Sequence, residues 1–272
     1  MEAVEHERMV VKQRPLTIPD DDVRTLMDFL SIPLWDSSSI LARFADLPGS
    51  MPRGSGPESF VYVPGTRKNR VVLVAHADTV WDSCRGYRGF CWPAPTISRG
   101  WVLPGGLAPG LGADDRAGSA LLWLLRSSGH SLLVVNGEEN GCRGSRWLME
   151  WNPGIADEIN QHQFMVEFDR CNGRDFKCYH VGSPEFRLYV KTETGYTEPD
   201  RDSFTDIGVL CRGICGVNLS VGYRDEHGWF ERLSIREWKN TLELCREWLS
   251  GILFPRFAQP PRTYESRFGL WF

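Results

Sequence analysis

Long apolar runs are missing from this sequence. Runs such as those at residues 71–75 and 131–135 fall far short of the roughly 20 residues that cross a bilayer, which argues against a membrane-spanning chain. Basic charge is not in excess. Thirty-one Lys and Arg face 35 Asp and Glu, a net charge of -4, which disfavours nucleic acid as the main partner. The opening residues, MEAVEHERMVVKQR, are charged and carry no apolar h-region, so no secretory signal is expected and a cytoplasmic location is. There is no CxxC pair among the eight cysteines, Cys84, Cys91, Cys142, Cys171, Cys178, Cys211, Cys215 and Cys245. Disulfide frameworks belong to short secreted chains, so reduced thiols are expected. Cys211 and Cys215, four apart, are a candidate soft-metal pair, with small core residues as the plainer reading. No internal repeat and no low-complexity linker interrupts the chain. Its 272 residues suit one domain over 1–272, with 1–20 as a loose polar start.

What is present alternates between helical and strand patterns. Val23, Leu26, Met27 and Leu30 have helical spacing within 21–46. Residues 60–63, 71–75, 131–136, 164–168, 186–191 and 214–221 read as strands. Residues 116–125 read as a buried helix, and 203–210 as a short one capped by Ser203 or Asp202. Residues 84–112, rich in Gly, Pro and Trp, read as a functional loop or a small hairpin excursion. Ser234 and Glu237 form a capping box, followed by an apolar stripe of Ile235, Trp238, Leu242, Cys245, Leu249 and Ile252 that ends at Pro255. Continuous apolar strands between helices predict an α/β fold with a mostly parallel central sheet covered on both faces.

In such sheets ligands bind beyond the carboxyl ends of the strands. Five segments deliver an acid or a histidine there. His76 and Asp78 follow one strand, and Asp114 and Asp115 sit in a Gly-rich turn before a helix. Glu138 and Glu139 follow SLLVVNG, Asp169 closes FMVEF, and His227 follows NLSVGYRDE. Zinc accepts imidazole nitrogen and carboxylate oxygen at about 2.0–2.2 Å. Two zinc ions about 3.5–4 Å apart need a shared carboxylate. The residue types supply His76 with Asp169 for one ion, Glu139 with His227 for the other, and Asp114 as bridge. Asp78 is left to accept the second ring N–H of His76. Glu138 is left to take a proton from water. The plainer readings are a polar strand end for His76, a solvated acidic turn for Glu138 and Glu139, a strand terminator for Asp169 and a surface loop residue for His227.

The motifs HADTV (76–80), GADDRAG (112–118), NGEENG (136–141) and EFDR (167–170), with the late His in YRDEHG (223–228), resemble the di-zinc exopeptidase clan. That clan includes peptidase T, carboxypeptidase G, succinyl-diaminopimelate desuccinylase and the bacterial leucyl aminopeptidases. The order H-x-D, D, E-E, D, H matches over roughly residues 60–250. The clan's D-x-[K/R]-x-G context maps its bridging aspartate to Asp114 rather than Asp115, a residue expected to favour the helix N-terminus instead. The resemblance implies a peptide bond after Asp114 that is often cis. Its carboxypeptidase-like members carry a lid and dimerisation domain before the last histidine. Asp169 and His227 are only 58 positions apart here (227 − 169), so a catalytic domain alone is expected.

The reading is a hydrolase that cleaves an amide with two Zn2+, Mn2+ or Co2+ being alternatives. An aminopeptidase acting on peptides comes first. An N-acyl-amino-acid deacylase or desuccinylase is the alternative, and a non-catalytic binding module the third reading. Arg224 and His180 are candidates for substrate contact, with a surface salt bridge as the other reading of Arg224. Trp81, Trp92 and Trp101 are pocket candidates, read first as loop packing. His6, His130 and His162 are expected not to be ligands.

Overall fold

The structure, a computed structural model, describes residues 20–82, 92–200 and 203–259. Cys84, Cys91, His6, Asp202, most of the loose start and the aromatic tail RTYESRFGLWF fall outside them.

Short, mostly apolar runs build a seven-stranded sheet. Its strands are β1 (Met51–Ser55), β2 (Glu58–Val63), β3 (Val72–His76), β6 (Ser131–Val135), β7 (Met165–Arg170), β8 (Phe176–Lys177) and β9 (Gly216–Ser220). They lie in the order β1-β2-β6-β3-β7-β9-β8. The central four, β6, β3, β7 and β9, are parallel, and the margins are antiparallel. In β3, β6, β7 and β9 nearly every side chain is buried, because both faces are covered. Leu73, Ala75, Leu132, Val134, Val166 and Phe168 face one core with α1 (Asp21–Leu30), α2 (Ser37–Ala45), α3 (Ala113–Leu125), α6 (Pro184–Thr194) and α8 (Ile235–Trp248). Val72, Val74, Leu133, Val135 and Met165 face the other with α4 (Arg143–Trp151), α5 (Pro153–Ile159) and α7 (Asp206–Leu210). Among the described residues no helix is long and apolar enough to cross a membrane.

The crossovers explain where a ligand fits. From β3 the chain passes through α3 to β6 on one side, then returns through α4 and α5 to β7 on the other side. The order reverses at β3, so a crevice opens at its carboxyl end. A second sheet, β10-β11-β5-β4, lies beside it, built from β4 (Thr96–Ser98), β5 (Trp101–Leu103), β10 (Tyr223–Arg224) and β11 (Arg232–Ser234). The β4–β5 pair is the hairpin excursion anticipated in the Gly-rich segment, and its pairing with β11 was not anticipated.

Four sequence expectations are corrected. Residues 186–191 are helix, inside α6, not strand. Ser183 caps that helix by accepting from the Phe186 N–H, and Pro184 and Glu185 fill its first turn. Phe186 and Val190, four apart, are buried, while Leu188 is 66% exposed, so the apparent alternation was helical spacing. Helix α7 starts later than expected, after Thr205, and Ser203 does not cap it. Helix α8 stops at Trp248, before Pro255, and leaves Ile252 exposed beyond it. Ser234 accepts from Glu237 N–H as foreseen, but the Glu237 carboxylate turns to Arg224, so only half of the capping box forms.

Two buried histidines set an acid limit on this fold. His130 Nδ1 accepts from Val71 N–H at 3.2 Å and its Nε2 lies 3.0 Å from the Leu249 carbonyl. His162 Nε2 accepts from Arg70 Nε–H at 3.0 Å and its Nδ1 lies 2.9 Å from the Glu158 carbonyl. Each ring therefore needs one bare nitrogen. Burial pushes both pKa values down to about 4. The unfolded chain takes these protons near pH 6.5, so the stability they contribute is complete above 6.5 and is lost as pH falls towards 4. Urea unfolding at pH 7.5 and 4.5 checks this. The stability gap between wild type and His162→Gln is expected to narrow by about 2–3 kcal/mol at the lower pH. An unchanged gap contradicts the neutral, buried ring.

Candidate metal centre

Each site residue leaves a strand end or a loop beside one. His76 is the last residue of β3, Asp169 lies near the end of β7, and Glu138 and Glu139 follow β6. Asp114 starts α3, and His227 lies in the loop between β10 and β11. The crevice gathers all six. A cavity of about 190 Å3 is lined by Asp114, Glu138, Glu139, Asp169 and His227, with Tyr179, Phe204 and Tyr223 on its walls.

The Asp114 carboxylate sits between two imidazoles. Its Oδ1 is 3.1 Å from His76 Nε2, and its Oδ2 is 3.0 Å from His227 Nε2. Asp169 Oδ1 is 3.3 Å from His76 Nε2, and Glu139 Oε1 is 3.1 Å from His227 Nε2. The Glu139–His227 approach is close without being an aligned hydrogen bond, since Glu139 Oε1 is otherwise unpartnered. Donor atoms about 2.1 Å from one tetrahedral ion lie about 3.4 Å apart. The imidazole-to-carboxylate contacts, 3.1 and 3.3 Å at His76 and 3.0 and 3.1 Å at His227, lie near that spacing. Nitrogen and carboxylate donors of this kind suit a cation such as zinc. Two sets, His76/Asp114/Glu139 and His76/Asp115/Asp169, each bring three donor atoms within 4.8 Å of one another. Both Asp115 oxygens, however, accept backbone N–H groups, from His76 and Gly118. Asp115 thus ties β3 to α3. The peptide bond between Asp114 and Asp115 is cis.

Charge in the crevice is unbalanced. Burial opposes a proton on His76, but Asp169, Asp114 and Asp78 outweigh it and hold the ring pKa well above 6.5. The Asp114 and Glu139 carboxylates beside it raise His227 to about 11. Burial raises Glu138 well above the usual carboxylate range, and raises Glu139 and Asp169 too, with neighbouring carboxylates adding to it. Carboxylates gathered out of water in this way favour cations, whether protons or metal ions. Glu138 makes only a long contact, from Cys142 Sγ at 3.8 Å, and faces the cavity.

Asp78 does more than the sequence showed. His76 Nδ1 is nearer its backbone carbonyl, at 3.1 Å, than its carboxylate, at 3.4 Å. The carboxylate instead accepts from the N–H groups of Gly137, Glu138 and Glu139. Arg224 pairs with Glu237 at 2.8 Å, and His180 is exposed beside Gly208; neither lines the cavity. Trp92 packs edge-on against Trp35, and Trp101 lies under Arg232.

Four supporting residues escaped the sequence reading. Thr205 donates to Asp169 Oδ2 at 2.9 Å, and Tyr223 O–H donates to the Asp169 carbonyl. Asn218 Oδ1 accepts from Asp169 N–H at 2.9 Å. Glu231 accepts from four consecutive backbone N–H groups, those of residues 111–114. Asn218 had a signal, a polar residue inside the apolar strand GVNLS. Glu231, in HGWFER, had none.

The fold is shared with known peptidases. Aminopeptidase PepT from Bacillus cereus matches with a TM-score of 0.55 at 14% identity, over 84% of this chain and 97% of that one. A tripeptidase from Staphylococcus aureus matches with 0.58 at 14% identity, over 84% and 97%. An aminopeptidase from the archaeon Desulfurococcus kamchatkensis matches with 0.56 at 10% identity, over 85% and 97%. At these identities the likeness establishes the fold. No family model matches the chain, and no curated protein does.

Thermal unfolding tests the fit to metal. Zinc at 1,000 times its dissociation constant is expected to stabilise the chelator-treated protein by about 4 kcal/mol. His227→Ala should lose most of that gain. An unfolding temperature indifferent to zinc contradicts the fit.

Proposed function

We propose that the chain is a metal-dependent hydrolase that cleaves an amide bond, an exopeptidase of the aminopeptidase kind. The observation that carries the reading is the Asp114 carboxylate placed between His76 and His227, each imidazole accompanied by a further carboxylate. His76 and Asp169 would hold one zinc ion and Glu139 and His227 the other, with Asp114 shared. When bound, the ions acidify water and offset negative charge on a substrate carbonyl.

The chain's own residues supply the rest. Glu138 lines the cavity beside Glu139 without being one of the close donor atoms. Its raised pKa suits a group that takes a proton from the attacking water and returns it to the leaving amine. The Asp78 carboxylate holds the N–H of Glu138 at 3.1 Å and so fixes where that base stands. Glu139 also lines a neighbouring cavity of about 610 Å3, so the space beside the base extends beyond the cavity of about 190 Å3 that holds it. The charged lining of the smaller cavity is mainly acidic, Asp114, Glu138, Glu139, Asp169 and Glu226, and its one arginine, Arg170, is paired with Asp175. With Asp114, Glu139 and Asp169 assigned to the ions and Glu138 to the base, Glu226 is the lining carboxylate left to meet a substrate's free amino group, which an N-acyl amino acid lacks. Between Asp169 and His227 the chain builds β8, α6, α7, β9 and β10, elements of the two sheets and their covers, which supports a lid-free peptidase. No disulfide joins the six described cysteines, in keeping with a cytoplasmic setting.

Glu138→Gln is expected to lower turnover of amino-acid anilides or tripeptides by 100-fold or more, with bound zinc unchanged at two per chain. Full activity in that variant removes Glu138 from its role. A wild-type preference for N-acyl amino acids over free-amine substrates favours the deacylase reading instead.

A further inference from the structure

We infer that Glu231 is a positioning residue for the metal centre, fixing the loop that presents Asp114 and locking it to the loop that presents His227. This rests on the reading of Asp114 and His227 as ligands.

The contact is unusual in its density. Glu231 is 1% exposed. Its Oε2 accepts from Leu111 and Gly112 N–H, both at 2.7 Å. Its Oε1 accepts from Ala113 N–H at 2.7 Å and Asp114 N–H at 3.3 Å. Four successive amides therefore converge on one carboxylate, the concave arrangement by which backbone binds an anion. The last of the four belongs to the proposed bridging residue itself. Both Glu231 oxygens are consumed by amides, and the side chain does not line the cavity, so it acts on the centre through Asp114.

The surrounding sequence accommodates this grip. A Cβ at Gly110 would come within 3.1 Å of Glu231 Oε2 and 2.9 Å of Trp81 Nε1. Gly112 has φ +68°, and a Cβ there would meet Leu34 at 2.4 Å. The glycines of GLGADD thus let the backbone wrap the carboxylate. Glu231 is four residues from His227 and closes its own turn by donating its N–H to the Gly228 carbonyl at 3.1 Å. The next residue begins β11, which pairs with β5, the strand that leads into residues 104–112. The two ligand loops are therefore joined at one end by a strand pair and at the other by this carboxylate. A shift of either alters the distance between His227 and Asp114, now 3.0 Å. A glutamine would keep the shape but replace one acceptor with an NH2 group that faces amide donors.

Glu231→Gln tests the assignment by two independent readouts. In metal-free protein, hydrogen exchange at residues 111–114 is expected to accelerate at least 10-fold, while residues 137–139, held by Asp78, keep their protection. Zinc affinity, measured by chelator competition, is expected to fall 10- to 100-fold, as for other partners that orient metal ligands, and the Co2+ absorption spectrum should change. A variant that loses thermal stability but keeps wild-type zinc affinity and Co2+ spectrum shows a merely structural role and overturns the inference. If the wild type itself binds no zinc, the functional reading fails and takes this one with it. Should Glu231→Gln fail to fold, Gly110→Ala crowds the same carboxylate and keeps its charge. It is expected to weaken zinc binding in the same direction by a smaller factor, and normal affinity there also overturns the inference.

Discussion

The Asp114 carboxylate, held between the imidazoles of His76 and His227, is the interaction on which the rest of the structure depends. A carboxylate that is 8% exposed is costly unless both oxygens are answered. Here each oxygen has one histidine, and each histidine has a second acid, Asp169 or Glu139. The carboxylates still outnumber the imidazoles, and Glu138 adds one more. Cations that bind between them relieve that imbalance, which is why a metal-dependent reading follows from the charges as well as from the spacing.

The fold serves this arrangement by pinning backbone rather than side chains alone. Asp78 grips three amides at residues 137–139, and Glu231 grips four at residues 111–114. Asp115 holds the His76 N–H, and Asn218 holds the Asp169 N–H. Four of the segments that carry site residues, at 76, 111–114, 137–139 and 169, are thus held by a buried acceptor from another segment. Amide donors satisfy these buried acceptors, so the supports stay in place without solvent. The parallel strands β6, β3, β7 and β9 bring the segments to one edge, and the small sheet brings the His227 loop against the Asp114 loop.

Much of this was legible in the sequence, for a physical reason. Strands buried on both faces read as continuous apolar runs, and chemistry at their carboxyl ends stands out as acids and histidines against that background. Residues 71–75, 131–136 and 164–168 were found this way, and the site candidates with them. The errors fall where periodicity is ambiguous. Phe186, Leu188 and Val190 alternate like a strand, and only the Ser183–Pro184 cap marks them as helix. Pairing between β5 and β11 spans more than a hundred residues and leaves no local pattern. The same holds for Glu231, whose partners lie 117 to 120 positions away. Short-range patterns expose which residues are chemically unusual. They do not expose which buried acid holds which loop.

The proposed function turns on two cations sharing Asp114. A crystal structure of zinc-loaded protein, with anomalous data at the zinc edge, tests it most directly. Two peaks are expected about 3.5–4 Å apart, one beside His76 and Asp169 and one beside His227 and Glu139, each reached by one Asp114 oxygen. A single peak, no peak in the crevice, or zinc held instead by Cys211 and Cys215 contradicts it.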